Sequence, residues 1–308
     1  MKRESLAAII VLLASLLSWT AFAVPAQKRP VFVTASFFGK NHMYLEDLSR
    51  EEIRIFEDGQ PREVEFFAGD EVPTVYGILF DRSFLPLPFD EPRVDPNAIP
   101  SSMAATSAAY QMIDQVLGRQ IGWVGTYDQD LKVEIDFTQD SGRVKDLIQR
   151  LRGERSMAEP SFYRALFSAV KKMNPRNEKR RILILFLDVL DPEAGSKLKP
   201  MKNLLSASNV ELFVADFAGS RLRGDRGMPP AQSEACLREL AGVTAGGAYF
   251  SKTEGIEGLG RRISNQIRTF YTIGFQAESP GDRPAALKIE CTRPGTKVAF
   301  HPLVPNLQ

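Results

Sequence analysis

Three strongly apolar segments of this 308-residue chain run directly into a carboxylate. Val75 to Phe80 ends at Asp81, Ile182 to Leu187 at Asp188, and Val210 to Ala215 at Asp216. A strand that is apolar along its whole length is covered on both faces, and open α/β sheets bind ligands at the carboxyl ends of such strands. Ser83 follows Asp81 by two residues, and Ser161 precedes a helical stripe that begins at Phe162. Hard oxygen donors brought to one rim from separate loops suit Mg²⁺ or Ca²⁺. The competing reading is that strand-end Asp residues cap the next turn and that Ser161 is an N-cap. Capping is favoured for Asp216, whereas for Asp81 with Asp188 both readings stand. Enzyme chemistry finds little else to work with. His42 and His301 are the chain's two histidines, and no Gly-x-Ser-x-Gly elbow, Gly-rich phosphate loop or Cys/His zinc pair occurs. A paired-carboxylate hydrolase using Asp81 and Asp188 is the remaining catalytic alternative; the expectation is that the chain is not an enzyme.

The elements that must position these groups are legible as a change of rhythm. Val31 to Ala35 is β-branched and aromatic, and Ile53 to Phe56 alternates with period two. Glu57-Asp58-Gly59-Gln60 is a hairpin turn, because Asp-Gly supplies φ > 0, and Val64 to Phe67 is expected to return from it. From residue 73 strands and helices alternate. Helical stripes occur at Ala105, Ala109, Met112, Ile113 and Val116, at Val144, Leu147, Ile148 and Leu151, and at Phe162, Leu166, Ala169 and Met173. Others follow at Leu198, Met201 and Leu205, at Leu237, Leu240 and Ala241, and at Ile256, Leu259, Ile263 and Ile267. Val133 to Phe137 alternates as a strand near a sheet edge does. After Thr269 the chain reverts to β-structure. The predicted architecture is α/β: a doubly wound, mainly parallel sheet over residues 72–268, inserted in a small β-sandwich. The sandwich is formed by N-terminal strands in 30–70 and C-terminal strands in 269–304, since neither set suffices for a core alone.

Composition is that of a globular protein, with 44% hydrophobic and 25% charged residues. Lys2 and Arg3, the apolar run from Leu6 to Leu17 and the small-x-small Ala21-Phe22-Ala23 mark residues 1–23 as a signal peptide. A retained anchor is the alternative. Removing Lys2, Arg3 and Glu4 from 39 basic and 38 acidic residues leaves 37 of each. A neutral mature chain offers nucleic acid no basic field, and no second hydrophobic span follows. The expected location is periplasmic or secreted. Cys236 and Cys291 are read as free thiols, with a disulfide as the alternative in an oxidising compartment.

Two loops on the strand-end side are candidates for contact with a partner. Phe84 to Pro100 holds Pro86, Pro88, Pro92, Pro96 and Pro100 together with Phe84, Leu87 and Phe89. Prolines lower the entropy lost when such a segment binds; the alternative is a variable surface insertion. Gly219 to Pro230 carries Arg221, Arg223 and Arg226 and reads as a solvated basic loop or a seat for an anionic partner.

The order of elements resembles that of von Willebrand factor A domains, in particular a secreted acidobacterial subgroup. The matching stretches are Ile55 to Pro61, Asp81-Arg82-Ser83, Asp136-Phe137-Thr138, Leu237 to Ala241, Gly246-Gly247 and Tyr271 to Phe275. They span about residues 31 to 303. The resemblance implies a non-catalytic, adhesion-type module that binds a protein or glycan ligand through a metal-ion-dependent adhesion site. That site's pattern is Asp-x-Ser-x-Ser, a later Thr and an Asp after the central strand. Asp81, Ser83, Ser161 in place of the Thr, and Asp188 match it, but Leu85 stands where the second serine belongs and Val189 where a glycine is usual. Leucine contributes no oxygen and excludes water, so Mg²⁺ or another divalent cation is expected to bind weakly or not at all. Without it Asp81 and Asp188 repel, and the alternatives are that Arg82 neutralises one or that the two share a proton.

Overall fold

The computed structural model describes residues 28–40, 43–69, 71–82, 101–118, 120–151, 161–187, 193–217, 228–251, 258–278, 285–301 and 303. Along the chain lie β1 (Arg29–Phe38), β2 (Ile53–Glu57), β3 (Gln60–Arg62), β4 (Phe66–Ala68) and β5 (Thr74–Asp81). Then come α1 (Ser101–Val116), β6 (Ile121–Tyr127), β7 (Leu131–Thr138), α2 (Ser141–Leu151), α3 (Phe162–Met173) and β8 (Arg180–Leu187). A single turn at Glu193–Ser196 precedes α4 (Leu198–Ala207), β9 (Val210–Asp216), α5 (Pro230–Gly242), β10 (Gly247–Phe250) and α6 (Leu259–Arg268). The chain closes with β11 (Phe270–Ala277), β12 (Leu287–Cys291) and β13 (Lys297–Phe300).

Among the described residues the central sheet has the order β10-β9-β8-β5-β6-β7. It is parallel except for β7, which is the antiparallel edge. Alternation along β5 explains why its apolar run is continuous. Tyr76, Ile78 and Phe80 pack on one face with α1, α2 and α6, whereas Val75 and Leu79 pack on the other with α3, α4 and α5. Both faces are thus dry, as a doubly wound sheet requires. Gly260 lets α6 approach α1 closely, since a Cβ there would collide with the Ala108 carbonyl.

The ends of the chain build the second body. β1 pairs with β11 over eight registers, from Arg29↔Ala277 to Ser36↔Phe270, within a sheet ordered β13-β1-β11-β4. A three-stranded sheet, β12-β2-β3, packs over it. Val31, Val33, Ala35, Phe37, Ile273 and Phe275 meet Ile53, Ile55, Leu287 and Ile289 in a core separate from the other two. The expected hairpin differs in one respect. Asp58 and Gly59 do turn with φ of 47° and 79°, the left-handed pair of a tight hairpin loop. The returning strand, however, is Gln60–Arg62, and Phe66–Ala68 crosses to pair with β11 in the other sheet. A two-residue loop permits pairing to resume at once, so Glu57 meets Gln60 directly. Cys236 belongs to the α/β core and Cys291 to the sandwich; both are free thiols.

A buried ion pair joins the two bodies. Arg180 at the start of β8 makes two 2.8 Å bonds to the Glu211 carboxylate on β9, donates to the Ile267 carbonyl at 2.7 Å, and lies 5.0 Å from the Phe270 ring centroid. One side chain thereby ties two central strands to α6 and to the first residue of β11. Beside it Lys179 sits over Phe32 and Phe66 of the sandwich. Arg180→Ala would strand the Glu211 carboxylate in a dry site, costing about 3–5 kcal/mol. Urea unfolding should register that loss, and the double variant Arg180→Met with Glu211→Leu should recover most of it.

His301 follows β13, and its Nδ1 lies 2.7 Å from the Leu303 carbonyl. Burial pushes its pKa below the usual 6.5. The unfolded chain therefore accepts a proton there that the folded chain refuses, so this contribution to stability is whole above about pH 6.5 and drains away as pH falls beneath it. Thermal melts between pH 8 and pH 5 should show the decline, and His301→Gln should flatten it.

Candidate functional site at the carboxyl-end rim

The order in which strands are added to the sheet reverses between β5 and β8, which run parallel: β6 and β7 lie on one side of β5, while β8, β9 and β10 lie on the other. Helices leave in opposite directions at such a switch point, opening a crevice at the strands' carboxyl ends. Asp81 is the last residue of β5 and is fully buried. It shares the parity of Val75 and Leu79, so it projects toward the face covered by α3, α4 and α5. Register puts Tyr127 directly beside it on β6 and, with Phe80 opposite Phe186, brings Leu187 level with it on β8. Asp216 pairs with Leu187 on the next strand. Asp81 and Asp216 are therefore rim residues of one sheet.

Ser161 comes to the same rim by a separate route. Its backbone N–H donates to the carbonyl of Asp128 at 2.7 Å, and Asp128 is the residue after Tyr127. Ser161 occupies the N-cap position of α3, yet its side chain makes no capping bond. The Oγ is buried, with no hydrogen-bond partner among the described residues. A serine that capped would aim that oxygen at the first turn's amides; this one does not. Arg82, next after Asp81, places Nη1 3.7 Å from Asp128 Oδ2. Arg164 on α3 pairs with Asp130 at 2.6 Å, so the loop after β6 is tied both to β5 and to α3.

Ser83, Leu85 and Asp188, and the contact candidates Phe84, Leu87, Phe89, Arg221 and Arg223, lie outside the described residues, as does the apolar segment at 1–23. Asp81 and Ser161 are thus the described members of the expected oxygen set, and they lie at one rim. A cation at this rim would draw on the Asp81 carboxylate and the Ser161 hydroxyl, both oxygen donors of the hard type that Mg²⁺ and Ca²⁺ prefer. No group of three His, Cys, Asp or Glu residues arranged for a metal occurs among the described residues.

Asp128 does not stand out in the sequence because its strand is not a continuous run of large apolar residues: Gly122, Gly125 and Thr126 interrupt Ile121 to Tyr127. Only the register with β5 brings it to the rim. Ser251, directly after β10, is a second such residue: its Oγ is buried without a partner among the described residues, one position beyond the Phe250↔Asp216 pair.

No family model matches the chain, and no curated protein matches it significantly. Solved structures similar to it include a von Willebrand factor type A protein from Catenulispora acidiphila, at 12% identity and a TM-score of 0.48 over 90% of this chain and 73% of that one. A D319A mutant of the PilB minor pilin from Streptococcus sanguinis is similar at 10% identity and a TM-score of 0.48, over 65% of this chain and 62% of the pilin. An aerotolerance-related membrane protein from Bacteroides fragilis is similar at 14% identity and a TM-score of 0.45, over 63% of this chain and 98% of that one. The chain therefore spans a little under two thirds of the pilin's length. Among the described residues no helix is long and apolar enough to cross a membrane.

Because the Ser161 hydroxyl does not cap α3, Ser161→Ala should cost less than about 0.5 kcal/mol, against about 1 kcal/mol for loss of a working N-cap. Chemical denaturation of the two proteins measures the difference directly.

Proposed function

We propose that the chain is an exported, non-catalytic interaction module whose contact surface is the carboxyl-end rim of the central sheet. The observation that carries this reading is the Ser161 hydroxyl, whose buried oxygen has no hydrogen-bond partner among the described residues, at the rim where the fully buried Asp81 ends β5. Native proteins rarely leave such an oxygen idle without a water, ion or ligand to meet it. The reading takes Asp81, Ser83, Ser161 and Asp188 as a degenerate metal-ion-dependent adhesion site in which Leu85 displaces one ligand. A bound divalent cation would offer a coordination position to an oxygen of the partner. With one donor missing, the apolar and proline-rich stretch at 84–100 and the basic loop with Arg221 and Arg223 carry more of the contact. The partner is a protein or a glycan.

Association through the sandwich edges, as a structural subunit of a cell-envelope assembly, is the rival reading. Against it stand the short edges: among the described residues β4 and β3 have three residues each, β13 has four and β12 has five, which limits strand addition. A hydrolase built on Asp81 and Asp188 is weaker still, since His301 belongs to the sandwich and is tied to Leu303.

The test is capture of partners from a periplasmic extract by the mature chain, with and without residues 86–100. The deletion is expected to lose the specific partner while thermal melting shows the body still folded. An unchanged set of partners would end the contact-loop reading.

A further inference from the structure

We propose that Arg82 and Asp128 form a built-in counter-charge at the rim, which withholds the Asp128 carboxylate from a divalent cation and keeps the site poor in metal. The inference rests on the reading of Asp81 and Ser161 as members of a cation site, and it adds a determinant that the adhesion-site pattern does not contain.

Asp128 is placed at the rim from two sides. It follows Tyr127, the register partner of Asp81, and its carbonyl accepts the Ser161 N–H at 2.7 Å. The backbone of Asp128 is thus bonded to that of Ser161 and lies one residue beyond the register partner of Asp81, which puts a further carboxylate at the described rim. That carboxylate is engaged. Its Oδ1 accepts the Gln129 N–H at 2.7 Å, and its Oδ2 faces the Arg82 guanidinium at 3.7 Å. The Arg82 and Asp128 side chains are 24% and 25% exposed, so solvent screens the pair less than it would a surface ion pair.

The consequence is electrostatic. Asp81 and Asp128 together would give a cation two negative charges, but the positive charge of Arg82, one residue from Asp81, cancels one and repels an incoming ion. Leu85 removes a ligand by having no oxygen, whereas Arg82 removes one by occupying it. The two devices are independent and can be reversed separately. Arg82→Gln removes the charge and leaves a shorter side chain that still donates hydrogen bonds; Arg82→Lys keeps the charge.

Binding of Mn²⁺ to the mature chain, followed by electron paramagnetic resonance of the free ion, tests the proposal, with circular dichroism confirming that each variant is folded. Arg82→Gln is expected to bind Mn²⁺ at least about tenfold more tightly than wild type. Arg82→Lys should stay near wild type, and adding Asp128→Asn or Asp81→Asn to Arg82→Gln should abolish the gain. Leu85→Ser, with Arg82 intact, serves as the independent arm. If Leu85→Ser creates Asp81-dependent binding and Arg82→Gln does not, the counter-charge proposal is wrong while the adhesion-site reading survives. If neither variant binds Mn²⁺ in an Asp81-dependent way, the adhesion-site reading fails and takes this proposal with it. Tight binding by wild type, or a gain in Arg82→Gln that persists with Asp128→Asn, also overturns it.

Discussion

The pairing of β1 with β11 is the constraint from which the rest of the architecture follows. Eight consecutive registers join Arg29–Ser36 to Phe270–Ala277, so segments more than two hundred residues apart in sequence must lie side by side. The α/β body between them has to leave and re-enter the sandwich at nearly the same place. It leaves from β4 into β5 and returns from α6 into β11 with only Thr269 between. Closing so long a loop is entropically costly, and the buried core that β1 and β11 share with β2 and β12 is what offsets that cost.

This closure also orients the functional end. Lys179 and Arg180 open β8, and they touch Phe32, Phe66 and Phe270 of the sandwich sheet. The amino-terminal ends of the parallel strands therefore face the sandwich, and their carboxyl ends, with Asp81 and Asp216, face away from it. The two ends of the sheet use charge differently. At the sandwich end Arg180 and Glu211 are 3% and 5% exposed and saturated with bonds to each other and to Ile267, an arrangement suited to holding elements still. At the far end the Arg82–Asp128 pair is longer and wetter, and hydroxyls of Ser161 and Ser251 have no bonded partner among the described residues. Rigid polar contacts lie at the junction, and oxygen-bearing groups with spare capacity lie at the rim.

Much of this was readable residue by residue. The apolar runs ending at Asp81 and Asp216, the second broken only by the ion-paired Glu211, are strands covered on both sides, because helices on both faces leave no position along them wet. The stripe Val144, Leu147, Ile148, Leu151 is the buried side of α2, and Val133 to Phe137 belongs to the edge strand β7, where Ile135 is buried but Val133 is exposed. Where reading failed, two local solutions were compatible with the same pattern. Val64 to Phe67 has the period of a hairpin's return strand, but a two-residue loop lets Gln60 to Arg62 take that place. Ser161 has the type and position of an N-cap, and only the placed side chain shows an oxygen that does not use the option.

The sequence by itself determined which segments are strands and helices, that the parallel body sits between two β segments, and that carboxylates terminate its central strands. Those properties are local, set by hydrophobic period, turn chemistry and the position of a charged residue after an apolar run. Tertiary structure alone decided that Asp128 joins Asp81 and Ser161, that Arg82 pairs with Asp128, and that Arg180 ties the two bodies together. These depend on strand register and on which loops meet at a rim, quantities set by the packing of distant segments that no local pattern encodes.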